Sequence, residues 1–161
     1  MSTVPADAPL QPIDGEALTF ADQTAMFHLV VVALDPYTHE SSWILETAGR
    51  ILTNFHGADC RVAWLVRAPA VDAEAFLGPW AERVLTFADP DGSAIEALGI
   101  TAIPALVHVG TNLDIVGRAD GWDPAEWKAV TDNLAGLMAW NRVPLPRPGD
   151  PVAFPGVPVS G

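Results

Sequence analysis

The densest group of reactive side chains is Tyr37-Thr38-His39-Glu40-Ser41: a phenol, two hydroxyls, an imidazole and a carboxylate in consecutive positions. A histidine beside a carboxylate is suited to acid–base work, and a serine or threonine becomes a nucleophile when a base takes its proton. The spacing argues against both uses. Neighbouring helical residues point about 100° apart, so His39 and Glu40 diverge if a helix begins here. His39 and Ser41 bring no third group to orient the imidazole. The one thiol, Cys60, excludes an intrachain disulfide. His28, His56 and His108 are scattered, and no histidine–cysteine spacing fits zinc. No catalytic residue, metal or cofactor is expected.

A strand running into a helix must present these five residues. Residues 28–34 are a continuous valine-rich run, the pattern of a strand buried on both faces. The helix after it starts at Asp35-Pro36 or at Thr38, and keeps Ile44, Ala48, Ile51, Leu52 and Phe55 on one face as far as Gly57. Arg61–Val66 alternates as a second strand, parallel to the first because a helical crossover separates them. Asp72–Arg83 reads as helix with a weak point at Gly78-Pro79, and Val84–Phe87 as a short strand. Asp89–Gly92 reads as a turn, and Ser93 with Glu96 as the capping box of a helix ending at Gly99. Ala105–Val109 and Leu113–Arg118 form an antiparallel hairpin. Asp123-Pro124 opens a last helix with Trp127, Val130, Leu134, Leu137 and Met138 on one face.

The predicted architecture is α/β: a central mixed sheet of parallel strands with a C-terminal antiparallel hairpin, flanked by helices and preceded by an N-terminal hairpin over Ile13–Phe20 that turns at Asp14-Gly15. Residues 1–12 are expected to be a flexible N-terminal segment and 13–142 the domain. Residues 143–161 are expected to be a proline-rich extended tail without helix or central strand.

Composition narrows the partners. With eight basic and twenty acidic residues the net charge is −12, which repels phosphate backbones and anionic membranes. Neither nucleic acid nor membrane insertion is expected; the Leu29–Leu34 run is far too short to span a bilayer. The first residues lack the basic and apolar regions of a secretory signal, and a cytoplasmic location is expected.

Several segments together resemble the thioredoxin-like superfamily, in particular the thioredoxin-like reductases of cytochrome maturation and the peroxiredoxins. Asp14-Gly15 to Phe20 resembles the hairpin ahead of their first central strand, and Asp89–Ile100 resembles a turn and helix of theirs. Gly99-Ile100-Thr101-Ala102-Ile103-Pro104-Ala105 resembles their cis-proline loop, and Ile115–Arg118 the end of the following hairpin. The resemblance implies a redox site where this chain has Thr38 and Ser41 in place of the cysteines. Hydroxyls form no disulfide, and serine cannot become the sulfenic acid that peroxide reduction requires. Cys60, at the start of the second parallel strand, is expected roughly 23 Å away at the far end of the sheet.

Leu34-Asp35-Pro36, Gly99–Val109 and Gly121–Trp127 also resemble the thioredoxin-like chaperones of hydrogenase maturation, which lack the cysteine pair. The favoured expectation is a redox-inactive protein, not an enzyme. It would bind a protein or extended peptide, as a chaperone, an accessory module or a component of a larger assembly. The expected surface is Tyr37, Thr38, His39, Glu40, Ser41, Ile103, Pro104 and Trp122, where an extended peptide can add as a strand. The alternatives are a thiol-dependent oxidoreductase or peroxiredoxin-like enzyme using Cys60 with a partner, and a non-redox enzyme using His39 and Glu40.

Overall fold

The computed structural model describes residues 2–159; Met1 and the last residues of the tail, Ser160 and Gly161, lie outside the described residues. In chain order the elements are β1 (Pro9–Pro12), β2 (Leu18–Thr19), α1 (Phe20–Thr24), β3 (His28–Leu34), α2 (His39–Asn54), β4 (Cys60–Val66), α3 (Ala70–Leu77), α4 (Trp80–Arg83), β5 (Leu85–Ala88), α5 (Ser93–Ala97), β6 (Ala102–Ile103), β7 (Ala105–Val109), β8 (Ile115–Asp120), α6 (Pro124–Met138) and β9 (Val157–Pro158).

Seven strands make the main sheet in the order β2-β1-β5-β4-β3-β7-β8. β3, β4 and β5 run parallel, whereas β7, β8 and the N-terminal hairpin are antiparallel to their neighbours. β3 is valine-rich throughout because both of its faces are covered. Val30, Val32 and Leu34 pack with Ile44, Ala48, Ile51 and Leu52 of α2 and Trp127, Val130 and Leu134 of α6. Leu29, Val31 and Ala33 face the opposite core, with Phe20 of α1 and Ala94 and Ile95 of α5.

Four local expectations are corrected. The segment 1–12 is not loose: Val4 and Leu10 are buried, Val4 N–H donates to Leu113 O, and β1 pairs with β5 and covers its edge. Its prolines sit at the two ends of the strand, where fewest ladder bonds are lost. The hairpin around Asp14-Gly15 therefore begins earlier than expected, and Phe20 opens a helix capped by Thr19 and Asp22. Ser93 does not cap α5. The buried Asp89 carboxylate does so, accepting from the amides of Ala94 (3.0 Å) and Ile95 (2.9 Å). Asp72–Arg83 is two helices, divided at Gly78-Pro79.

At the N-terminal end of β3, His28 Nδ1 lies 2.7 Å from Nε2 of His108, which is wholly buried. Among the described residues, His108 Nδ1 has no hydrogen-bond partner. Burial, then the charge of His28, pushes His108 down to about 4, against 6.5 for a free imidazole. The folded chain thus binds fewer protons here than the unfolded one. The resulting stability is complete above pH 6.5 and is lost as pH falls from 6.5 through 4, by an amount on the order of 3 kcal/mol. Chemical denaturation between pH 7 and 4 is expected to show this loss, and His108→Leu to flatten it. An unchanged slope in the variant would assign the pH dependence to other groups.

Candidate functional site

β3 ends at Leu34, and the next turn is knotted by its own polar groups. Asp35 Oδ1 accepts from Tyr37 N–H (2.9 Å), and Asp35 O accepts from Thr38 N–H (3.1 Å) and Thr38 Oγ1 (2.8 Å). Asp35 N–H donates to Ser41 Oγ (2.8 Å), and the Thr38 and Ser41 hydroxyls are 3.2 Å apart. Thr38 is the N-cap residue of α2, with extended backbone. Ser41 is fully buried. Among the described residues, no histidine or carboxylate side chain hydrogen-bonds either hydroxyl, so neither has the base that would make it a nucleophile.

The rest of the five-residue stretch faces outward. Tyr37 is 67% exposed and donates to Asp72 Oδ2 (2.6 Å). That bond chiefly, with some desolvation and the charges of Asp72 and Asp35, raises its pKa. His39 stacks on Trp43 (centroids 6.4 Å apart), and Trp43 is 56% exposed. Glu40 sits half-buried in the first turn of α2, where its charge suits the helix dipole. Among the described residues, no hydrogen bond or ion pair joins the side chains of His39 and Glu40.

The second half of the site is the loop ahead of β7. Arg118 reaches back from β8 to Leu98 O (3.1 Å) and Gly99 O (2.6 Å), and pairs with Asp120 (3.0 Å). Asp120 in turn accepts from Thr101 N–H (2.8 Å) and Oγ1 (2.6 Å). The Ile103–Pro104 peptide is cis, and both residues are buried. The edge at β6 is occupied: Ile103 pairs with Val157 and Ala102 with Pro158 of the chain's own tail.

The tail reaches that edge through anchors on α2 and on Trp122, between β8 and α6. Asp150 receives Arg50 on both oxygens (2.8 and 3.0 Å), Thr47 Oγ1 (2.9 Å) and Arg147 N–H (2.8 Å). Burial alone would raise this carboxyl; the donors and the Arg50 charge outweigh it and hold it below the usual range. Trp122 Nε1 donates to Pro151 O (2.9 Å), and Trp122 and Phe154 exchange two backbone hydrogen bonds of 2.9 Å. The Phe154 ring meets Trp43 edge-on at 5.6 Å.

The predicted surface therefore divides. Tyr37, Thr38, His39, Glu40 and Ser41 do cluster at the start of α2. Ile103 and Pro104 form a separate edge, and the tail runs between the two through Phe154. Trp122 offers no outward surface: it is buried edge-on against Trp127 at 5.0 Å. Sequence reasoning missed Trp43, Phe154 and Val157. For Phe154 and Val157 the signal was the apolar content of the tail's end, Val152-Ala153-Phe154 and Val157-Pro158-Val159, which a merely solvated linker would not need.

Cys60 opens β4 directly opposite His28, the first residue of β3, whereas Thr38 follows the last. Burial, then the Asp59 charge, raises the thiol to about 11, so it is protonated at neutral pH. No group of three or more potential metal ligands exists among the described residues, and no helix among them is long and apolar enough to cross a membrane.

No family profile and no curated protein sequence matches this chain. Solved structures do. One is dsbF of Mycobacterium tuberculosis in mixed oxidised and reduced forms, with 16% identity and TM-score 0.64, covering 85% of this chain and 98% of that one. A secreted disulfide oxidoreductase of the same organism, homologous to dsbE of Escherichia coli, has 14% identity and TM-score 0.59, covering 81% and 93%. A bacterioferritin comigratory protein of Xanthomonas campestris, described for alkyl peroxide reduction, has 15% identity and TM-score 0.65, covering 88% and 98%.

The chain has a thioredoxin-like fold. The expectation that it is not an enzyme is corrected by these neighbours of the same fold, one described as a disulfide oxidoreductase and another for alkyl peroxide reduction. Thr38 and Ser41 carry hydroxyls, so the chemistry of a cysteine pair has no counterpart at these two positions.

The 3.2 Å between the two hydroxyls suits a disulfide after small side-chain rotations. Thr38→Cys with Ser41→Cys is expected to oxidise to an intrachain bridge, seen as a loss of two free thiols and a mass change of two hydrogens. Three persistently free thiols under oxidising conditions, Cys60 included, would show that the knot at Asp35 holds the side chains apart.

Proposed function

We propose that this thioredoxin-like protein docks an extended segment of a partner protein along the Ala102–Pro104 edge, as a chaperone or accessory subunit. The observation that carries this reading is the antiparallel pairing of Ile103 with Val157: the edge accepts an added strand, and an extended peptide binds such an edge by the same main-chain bonds. Tyr37, Thr38, His39 and Glu40 provide the polar rim on the α2 side. Ser41 and Trp122 act from beneath, Ser41 by holding the turn and Trp122 by holding the floor. The single thiol favours a reducing cytoplasm, although one structural neighbour is described as secreted. Partner capture with intact protein is expected to fall at least tenfold in Tyr37→Ala and in Pro104→Ala, each verified as folded by circular dichroism. Full retention of every specific partner by both variants would sink this reading.

A second reading is favoured by the enzymatic neighbours: a peroxiredoxin-like activity at Cys60 with a thiol partner. The thiolate would attack the peroxide O–O bond, giving a sulfenic acid and an alcohol or water. A partner thiol would then condense with it to a mixed disulfide, releasing water, and a second partner thiol would reduce that disulfide. With its thiol raised to about 11, Cys60 is expected to react slowly at pH 7 and faster as pH rises. Peroxide consumption in the presence of a dithiol, compared with Cys60→Ser, tests this. Equal rates for both proteins across pH 7 to 10 would remove it.

A further inference from the structure

The edge assigned to docking is closed by the chain itself. We infer that Phe154–Val159 is a displaceable internal strand that keeps this edge shut. Its competitor would be an uncharged extended segment with an aromatic residue three positions before the residue that pairs with Ile103. This inference rests on the docking reading above and adds the regulation of that site and the chemistry of its partner.

The partner's chemistry is read from the present occupant. Pro151–Val159 contains no charged residue, in a chain with twenty acidic and eight basic side chains. Its ring, Phe154, reaches Trp43, and Val157, three residues on, meets Ile103. The fit is backbone against backbone. A Cβ on Gly121 would stand 2.4 Å from Pro155 O, and one on Gly156 would stand 2.9 Å from Ile103 O. Both glycines have positive φ (79° and 80°), so substitution there is strained as well as crowded.

Displaceability follows from how little of the strand is held. β9 pairs over two residues, against seven for β3 with β4. Pro155 and Pro158 have no N–H to donate, and both are exposed. The root is different: Asp150 is clamped by Arg50, and Pro151 O by Trp122. Between root and strand lie Val152, 86% exposed, and the exposed Ala153. A strand tethered so closely has a high effective concentration at its own edge, so a competitor in solution gains access chiefly when the strand is weakened.

The test uses full-length protein and a fluorescein-labelled peptide with the sequence of residues 151–159, followed by anisotropy. Gly156→Val is expected to bind it at least tenfold more tightly than the natural chain, and a peptide with alanine in place of its phenylalanine to lose most of that gain. Hydrogen exchange of the natural chain and the variant checks the cause. Amides of Trp122, Phe154 and Val159 should exchange faster in the variant, with those of β3 unchanged. Measurable and equal peptide binding by both proteins would overturn the inference and leave the docking reading standing. A variant whose strand exchanges quickly yet binds no peptide would overturn the docking reading and the inference with it. A strand that stays protected in the variant would show that it is held too firmly to be displaced. A natural chain that forms dimers by exchanging tails would overturn the internal strand in favour of a second copy.

Discussion

The direction of β3 fixes everything of functional interest. This strand is buried on both faces, paired along its whole length with β4 and from Leu29 to Ala33 with β7. Its C-terminal end delivers Asp35, whose amide and carbonyl tie Thr38 and Ser41 into the first turn of α2. Its N-terminal end holds His28 against His108, with Cys60 alongside on β4. Because parallel strands share their polarity, the hydroxyl pair and the thiol are sent to opposite ends of one rigid sheet. No side-chain rotation can reunite them across roughly seven residues of strand.

A second constraint acts on the tail. An extended, proline-rich segment has little cooperativity of its own and takes its course from anchors. Here those are a carboxylate receiving a two-pronged guanidinium and a tryptophan N–H on a carbonyl, which fix residues 150 and 151. Beyond them the chain lies against Gly121 and Ile103 with no room for a side chain between the backbones. The same contacts fill the space into which Trp122 would otherwise present a surface. The tail is therefore part of the site's construction.

The sequence made the central architecture legible because hydrophobic pattern and turn residues agree there. β3 reads as a doubly buried run, α2 and α6 as single-faced helices, and Pro104 as the loop before β7. It was misleading where local signals lost to long-range contact. Ser93 and Glu96 have capping-box spacing, but Asp89, buried and accepting from the amides of Ala94 and Ile95, caps the helix instead. Residues 1–12 look loose by their prolines and alanines, yet the exposed edge of β5 needs a cover and Leu10 supplies the apolar contact. The pairing of Ile103 with Val157 spans more than fifty residues, and no periodicity in either segment announces it. For the site, the clustering at Tyr37–Ser41 was visible in the order of residues; which of those side chains face solvent depended on the turn at Asp35.

The separation of the two ends also decides how the docking and thiol readings relate. A segment paired with Ile103 lies beside the C-terminal end of β3, whereas Cys60 opens β4 at the other end, beside His28 and Asp59. A docked partner thus cannot present its own thiol to Cys60 without a further reach of roughly 20 Å, about the length of the strand between them. Chemistry at Cys60 would need a second partner surface near Asp59. There the acidic neighbour and partial burial disfavour the thiolate. The physical consequence is independence: loss of Cys60 should leave strand docking untouched, and release of the tail should leave the reactivity of the thiol unchanged. The two readings therefore describe separable properties of one fold, and a change in either does not count for or against the other.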